Sequence, residues 1–449
     1  MNKTLSNAST AIGSLLLLLG CVQSDEERIP LKGEKLQTEL RFTEHLIMDG
    51  YGYPFGIAAA DLDGDGDLDL TSADGTGQHK LYWFQNDGSG SFKRHLIQEK
   101  DPGRLERHRI GDIDGDGDPD VAIVKNKLGD LLWFENSGTP GDGKLWPRHI
   151  ITQGKLPGAY DVELVDLDGD GDLDAAGSGW RLGNQFSWFE NDGTPTEGEW
   201  TKRPIEIDVG ETRTIRAGDF DADGDADLLG TSRTANQVIW YQNPGNPASG
   251  EWVKHVIEAT HAPIHGEPAD IDGDGDLDVV MALGAWGSMH QGNQVKPDRE
   301  NNRPEFTESY NHHIVWYEND GIHKNGWTRH LISDHLNEAF EAVVGDLDGD
   351  GDTDVVASGF SRPGRVLWYE NSGDPSGPWT EHMVKDDWKN ANQVLLADLD
   401  GDSDLDIAAC AERGSLEFRW WRNEGPAPET LTSLLTGSRS TPLGSQGSN

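Results

Sequence analysis

Cysteine is almost missing from this chain. Only Cys21 and Cys410 occur in 449 residues, which excludes a disulfide framework, a cysteine-rich zinc site and a thioredoxin-type pair. Basic residues are also scarce. Against 80 Asp and Glu stand 37 Lys and Arg, for a net charge of −43. Phosphate contacts need a surplus of Lys and Arg, so nucleic acid is a poor partner. No apolar run is long enough to span a bilayer. A serine-hydrolase elbow, an HExxH helix and a phosphate-binding glycine loop are absent too. The chain is nevertheless not an acidic disordered tail, because 16 Trp and 35 % apolar residues supply a core.

The N-terminus reads as a targeting segment. Lys3 precedes a short apolar stretch that ends in five leucines at 15–19, the pattern of a secretory signal. The next residues, Gly20 and Cys21, complete a sequence that resembles a bacterial lipobox. That resemblance implies cleavage before Cys21 and lipidation of its thiol. It places the protein outside the cytoplasm, held to a bacterial membrane by several acyl chains. Residues 1–21 are thus signal and lipidated Cys, and the polar stretch 22–40 is a tether. Residues 426–449, rich in Ser, Thr, Gly and Pro, read as a disordered tail.

Between these ends one unit recurs seven times. Its first mark is a nine-residue loop with Asp at positions 1, 3, 5, 7 and 9. The copies are Asp61, Asp63, Asp65, Asp67 and Asp69; Asp112, Asp114, Asp116, Asp118 and Asp120; Asp166, Asp168, Asp170, Asp172 and Asp174; Asp219, Asp221, Asp223, Asp225 and Asp227; Asp270, Asp272, Asp274, Asp276 and Asp278; Asp346, Asp348, Asp350, Asp352 and Asp354; and Asp398, Asp400, Asp402, Asp404 and Asp406. These 35 residues carry most of the charge, and without them the balance is −8. The second mark is an aromatic segment ending in Asn, built on Trp83, Trp133, Trp188, Trp240, Trp316, Trp368 and Trp420. The third is a His followed by an aliphatic pair, as in His95, Leu96 and Ile97.

Each marked segment is short, rich in β-branched or aromatic residues, and bounded by Gly, Asn and Asp. The spacing predicts four strands per unit: A before the Asp loop, B after it, C with the Trp and D with the His. Four-stranded units of this length in series predict an all-β, seven-bladed propeller over residues 41–425. The seventh unit lacks strand D, and an orphan copy of it stands at Phe42 to Ile47. The N-terminal strand is therefore expected to complete the seventh blade and close the ring.

The Asp loop predicts a calcium site. Carboxylates at positions 1, 3, 5 and 9, a carbonyl at 7 and a Gly for the sharp turn at 6 suit a hard cation with 6 to 8 oxygen ligands. Up to seven ions are expected. Position 12 of the first loop is Ser72, so this is not a helix–loop–helix hand. The fourth loop has Ala222 at position 4, and the seventh has Ser403 at the sharp turn. A side chain there costs strain, so the seventh site is expected to be the weakest.

These loops resemble the FG-GAP/VCBS repeats of the integrin alpha-chain propeller and of many bacterial surface proteins. The resemblance implies Asp loops on one face and ligand or partner binding on the other. Some relatives are enzymes, among them certain polysaccharide lyases and the propeller domain of aldos-2-ulose dehydratases. No cupin-like second domain is visible here.

Subtracting the template exposes candidate site residues. Six His (His45, His95, His149, His255, His330 and His382) belong to strand D, with Arg203 in the fourth copy of that strand counted from His45. Three Trp fall outside the template, Trp180 and Trp286 in B–C loops and Trp388 in a D–A loop. Both kinds of loop lie on the face away from the Asp loops. Eight further His, including His108, His265 and His290, map to that face, as does a long insertion near 284–311. Five residues before the Asp loops stand Gly56, Arg107, Asp161, Thr214, His265, Glu341 and Gln393. Three residues before stand Ala58, Arg109, Glu163, Arg216, Glu267, Val343 and Leu395. The second set alternates in charge over four blades and predicts ion pairing along the channel. The first set, with Arg213 and His108 nearby, is expected at the channel mouth, with Trp180, Trp286 and Trp388 as stacking surfaces.

Three functions fit this reading. The first is a monomeric binding module that holds a glycan or protein at the envelope through the face opposite the Asp loops. The second is a sugar lyase or dehydratase at the mouth of the channel. There His265 or His108 would act as base and Arg107 would stabilise charge, or Asp161 and Glu341 would pair as acid and base. The third is an adhesion or assembly scaffold without a small ligand.

Overall fold

A computed structural model describes residues 40–76, 79–100, 103–284, 312–321, 326–360 and 363–426. Cys21, Trp286, His290, the tether up to residue 39 and the tail from residue 427 lie outside these residues; Leu40 and Pro426, expected in tether and tail, belong to strands. Each repeat folds as four strands because its apolar segments are short and its turns carry residues that tolerate positive φ. In blade 1 the strands are A (Pro54–Ala60), B (Asp69–Asp74), C (Lys80–Asn86) and D (Phe92–Gln98). They pair antiparallel in that order, and the same order recurs in six further four-stranded sheets. The result is the seven-bladed all-β propeller that the repeats predict.

Burial follows strand position. Strand B is buried along its whole length in every blade. It therefore reads as a run of small and apolar residues rather than an alternation. Strand D lies outermost and is largely exposed or half-buried. Strand A lies innermost; in blades 1, 2, 3 and 5 its first four residues are buried and its last three half-buried.

The ring closes as expected. Leu40–Met48 lies antiparallel to Glu417–Pro426, from Leu40 opposite Pro426 to Met48 opposite Phe418. That strand completes the sheet made by Ala391–Ala397, Asp406–Ala411 and Glu417–Pro426. Glu44 then accepts from Lys385 Nζ at 2.8 Å and Arg419 Nη1 at 2.8 Å.

Two repeated contacts explain the template residues. The strand-D His sits directly opposite the strand-C Trp, as in Trp83–His95 and Trp420–His45. Their rings stack, at 4.5 Å for Trp83–His95 and 4.1 Å for Trp368–His382. The Asn that ends strand C reaches the preceding blade. Asn136 Nδ2 donates to the Leu62 carbonyl at 2.7 Å, and Asn86 Nδ2 to that of Leu399 at 2.7 Å, across the ring closure. Cys410 is a buried, unpaired thiol that donates to Asn392 Oδ1 at 2.8 Å.

Candidate functional site

Each Asp loop is ordered by its own backbone. In blade 1 the position-1 carboxylate of Asp61 accepts the N–H groups of Gly64 at 2.8 Å and Gly66 at 3.0 Å. Position 9 does more. Asp69 Oδ2 accepts from Leu62 at 3.2 Å and its Oδ1 from Asn86 at 2.8 Å, tying the loop to strand C. All seven position-9 residues make this pair of bonds and all are buried. Position 7 turns elsewhere. A Cβ on Gly88 would lie 2.4 Å from Asp67 Oδ2, so the Asn-x-Gly turn needs its glycine to clear that carboxylate. The position-7 side chain is thus committed to the C–D turn.

The donor set fits a hard cation. Carboxylate oxygens of Asp61, Asp63 and Asp65 lie within 4.8 Å of one another, as do those of Asp112, Asp114 and Asp120 and of Asp166, Asp168 and Asp174. Asp63 Oδ1, Asp112 Oδ1 and Asp168 Oδ1 are buried and accept no hydrogen bond. Buried acceptors are rarely left unmet. Burial also lifts the position-9 carboxyls, Asp120 to about 7 and Asp174 to about 8, against the two N–H donors that favour their charged form. A divalent cation held by positions 1, 3, 5 and 9 would cancel these penalties and lock strand A to strand B.

The axial channel departs from expectation. Arg107 was expected near the mouth, but it is fully buried and reaches across the axis to Glu341, four blades further along the chain. Its Nη1 and Nη2 donate to Oε1 at 2.9 Å and Oε2 at 2.6 Å. His265 is buried with both ring nitrogens engaged, by Tyr160 Oη at 3.0 Å and Thr214 Oγ1 at 2.7 Å. His108 is buried against Thr71 Oγ1 at 2.7 Å, and burial lowers its pKa to about 3. A general base works best with a pKa near the operating pH, and neither His has that or an open approach. Asp161 and Glu341 do not pair as acid and base, since Asp161 accepts from Arg216 at 2.8 Å and Glu341 from Arg107. The physical reason is the cap above them. Tyr53, Phe55, Tyr160, Ile264, Phe340 and Phe360 form one buried cluster at this end of the channel.

The open end lies on the Asp-loop side. There Arg109, Glu163, Arg216 and Glu267 line a cavity of about 420 Å³ floored by Glu341 and Gln393. These are the alternating charges, and they do pair: Arg109 with Glu163 at 3.2 Å, and Arg216 with Glu163 at 3.7 Å. Glu267 accepts the Val344 N–H at 2.7 Å, and burial raises its pKa to about 7.

The opposite face keeps fewer of its expected residues. Trp388 is buried, edge-on to Trp421, with its Nε1 donating to Glu417 at 2.9 Å, so it offers no stacking surface. Trp180 is half-buried, with the guanidinium groups of Arg181 and Arg213 at 4.3 and 4.4 Å from its ring centre. Arg213 is itself buried, and its Nε has no acceptor.

The sequence reading missed a neighbouring cluster. Tyr53 Oη accepts from Arg104 at 2.5 Å and Arg413 at 3.4 Å. Glu106 and Glu412 are buried beside it, and burial raises Glu106 to about 7. Arg104 Nε stands 2.6 Å from Glu106 Oε1. A signal existed: six residues before the Asp loops stand Phe55, Tyr160, Ile264 and Phe340, and Glu106, Arg213 and Asn392 interrupt that apolar position.

Because Arg107 and Glu341 form a buried bidentate pair, Arg107→Ala strands a carboxylate in the channel. We expect it to cost about 3–5 kcal/mol of stability, read as a lowered denaturant midpoint. An unchanged midpoint would show that the pair does not hold the axis closed.

Comparison with known proteins agrees with this geometry. FG-GAP-like repeats match residues 61–123, 112–177, 219–281 and 346–409, more than half of the chain. None of the curated proteins matches it. Among solved structures, BBS1N in complex with ARL6DN is similar at 9 % identity and a TM-score of 0.52, covering 86 % of this chain and 97 % of that one. A lectin of Agrocybe aegerita that recognises non-reducing terminal N-acetylglucosamine is similar at 17 % identity and a TM-score of 0.49, covering 75 % of this chain and 81 % of the lectin. At 9 % identity the likeness to BBS1N is one of fold. Its repeats and its seven blades make this chain a member of the FG-GAP-like repeat family.

Proposed function

We propose that this chain is a calcium-stabilised propeller, lipid-anchored at the cell envelope through Cys21, that binds a glycan or protein partner through the face opposite its Asp loops. The observation that carries the face assignment is the presentation of Trp180. The Leu182 N–H donates to the Trp180 carbonyl at 2.5 Å, and Arg181 between them has φ +54°. That is a three-residue turn with a left-handed non-glycine centre, a strained arrangement of the kind concentrated at binding sites. It leaves Leu182 72 % exposed and sets Arg181 over the Trp180 ring. Aromatic and arginine side chains raised together are the usual anchors of an interface.

Strain favours the same face. Of the 14 non-glycine residues at positive φ among the described residues, all but Ala222 and Ser403 lie in B–C or D–A loops. The axial cavity is the weaker candidate, because its arginines are already paired with its carboxylates.

Four outcomes are expected. Calcium removal with EDTA lowers the Tm sharply, since a ligand bound only to the native state stabilises by about 2.7 kcal/mol per site at a hundredfold excess over Kd; an unchanged Tm after verified metal removal refutes the calcium reading. Cys21→Ser moves the protein from the membrane to the soluble fraction, and its retention on membranes would refute the anchor. Trp180→Ala weakens retention on a glycan array, or on a protein partner, roughly tenfold, about 1.4 kcal/mol, in the folded fraction. Arg181→Ala separates the two partner classes: it frees the Trp180 ring for a sugar but removes an anchor for a protein. Wild-type affinity in Trp180→Ala would overturn the face assignment. Shortened glycan products, read by mass spectrometry, would favour the enzyme.

A further inference from the structure

The seven Asp loops are not equivalent, and the difference lies on strand C. The residue after the template aromatic pair stands beside position 3 of the loop. It is Gln85 and Gln242 in blades 1 and 4, and Glu135, Glu190, Glu318 and Glu370 in blades 2, 3, 5 and 6. In blade 7 it is Arg422.

This residue relays between strand D and the loop. In blade 1, Gln85 Oε1 faces His95 Nε2 at 3.2 Å while Gln85 Nε2 donates to Asp63 Oδ2 at 2.6 Å. In blades 2, 5 and 6 the Glu faces the His at 2.8, 2.6 and 2.8 Å. In blade 3 it faces Arg203 at 2.7 Å. Every one of these residues offers an acceptor to strand D.

Arginine has no acceptor. His45, the template His of blade 7, stacks on Trp420 at 4.7 Å, but its buried Nε2 has no hydrogen-bond partner. Arg422 points to the loop instead. Its Nε lies 2.5 Å from Asp400 Oδ2, and its Nη2 lies 4.0 Å from Asp402 Oδ2. The Asp400 side chain is 1 % exposed and that of Arg422 39 %, so the carboxylate is turned inward under a guanidinium that reaches the surface.

The turn in this loop is changed as well. Six loops carry Gly at position 6 with φ between 94° and 99°, whereas Ser403 holds that place at φ 77°. Two independent departures thus fall on one loop. One brings a permanent positive charge to position 3, and the other puts a side chain at the sharp turn.

We propose that the Arg422 guanidinium takes the place of the cation in blade 7, so that this chain binds calcium at six loops and not at residues 398–406. A divalent ion entering there would meet a fixed charge of its own sign against the carboxylate it needs. Blade 7 is also the blade closed by the N-terminal strand. An internal cation lets that closure form without metal, while the other six blades depend on it. The inference rests on the reading that the Asp loops hold calcium.

The test is an ion count by native mass spectrometry on the full chain, saturated with calcium and then desalted. Wild type is compared with Arg422→Gln, which installs the residue of blades 1 and 4. The variant should gain one ion. Two further variants give a second readout that does not depend on how Arg422→Gln folds: Asp63→Asn should lose one ion relative to wild type, and Asp400→Asn none. No gain in Arg422→Gln, or loss of an ion in Asp400→Asn, overturns the proposal. A wild type and variants all without ions would overturn the calcium reading itself, and this inference with it.

Discussion

The buried aspartate at position 9 is the constraint on which each blade depends. One oxygen takes the N–H of loop position 2 and the other takes the N–H of the strand-C Asn, at 2.7–3.2 Å in all seven blades. A single side chain thereby fixes the A–B loop against strand C. The N–H groups it accepts would otherwise be buried without partners, at a cost of about 1–3 kcal/mol each. The same Asn then donates to the preceding blade, so a contact inside one blade becomes the joint between two. Position 2 is apolar and buried, as at Leu62 and Leu167, because the carbonyl that receives this bond sits in the seam.

Repetition made most of this legible. Strand order, blade count and ring closure rest on turn residues and aromatic positions that recur at fixed offsets. The orphan strand from Phe42 was readable because it carries the same His as five of its six counterparts, the other holding Arg203. The depth of the channel residues was not readable. Arg107 and Glu341 are 234 positions apart, and nothing local says that the two side chains meet. A residue facing a propeller axis can line an open mouth or a plug, and the outcome depends on what stands across the ring. The charge alternation of Arg109, Glu163 and Arg216 was read correctly because adjacent blades are also adjacent in sequence order. Trp388 fails as a surface residue for the opposite reason. Its place in a loop suggested exposure, but the indole folds back onto Trp421.

The template histidines join the core to the loops. Each has a stacked Trp on one side and, in six blades, an acceptor or the Arg203–Glu190 pair on the other. In this arrangement His, Gln, Glu and Arg are alternative solutions to one problem: how to orient a polar group beside position 3 without leaving a donor unmet. Among the strand-D residues at this position only His45, in blade 7, leaves its ring Nε2 without a partner, and it does so where the blade gains a charge pair at Asp400. An unsatisfied buried group persists where something nearby requires it.

The closed axis separates the two faces. Arg107 and Glu341, with the aromatic cap above them, fill the channel between the Asp-loop end and the opposite end. The fixed negative charge of the loops is therefore set apart from the arginine-rich patch around Trp180 by a layer of buried, mutually neutralised groups. Charges buried in this way are expensive to separate, so the plug resists rearrangement when either face changes. The loops opposite can then vary in sequence, carry left-handed residues such as Arg181 and accept insertions, while the repeated position-9 and Asn contacts keep the blades in place. A scaffold organised this way confines its regularity to one end and leaves the other free to specialise.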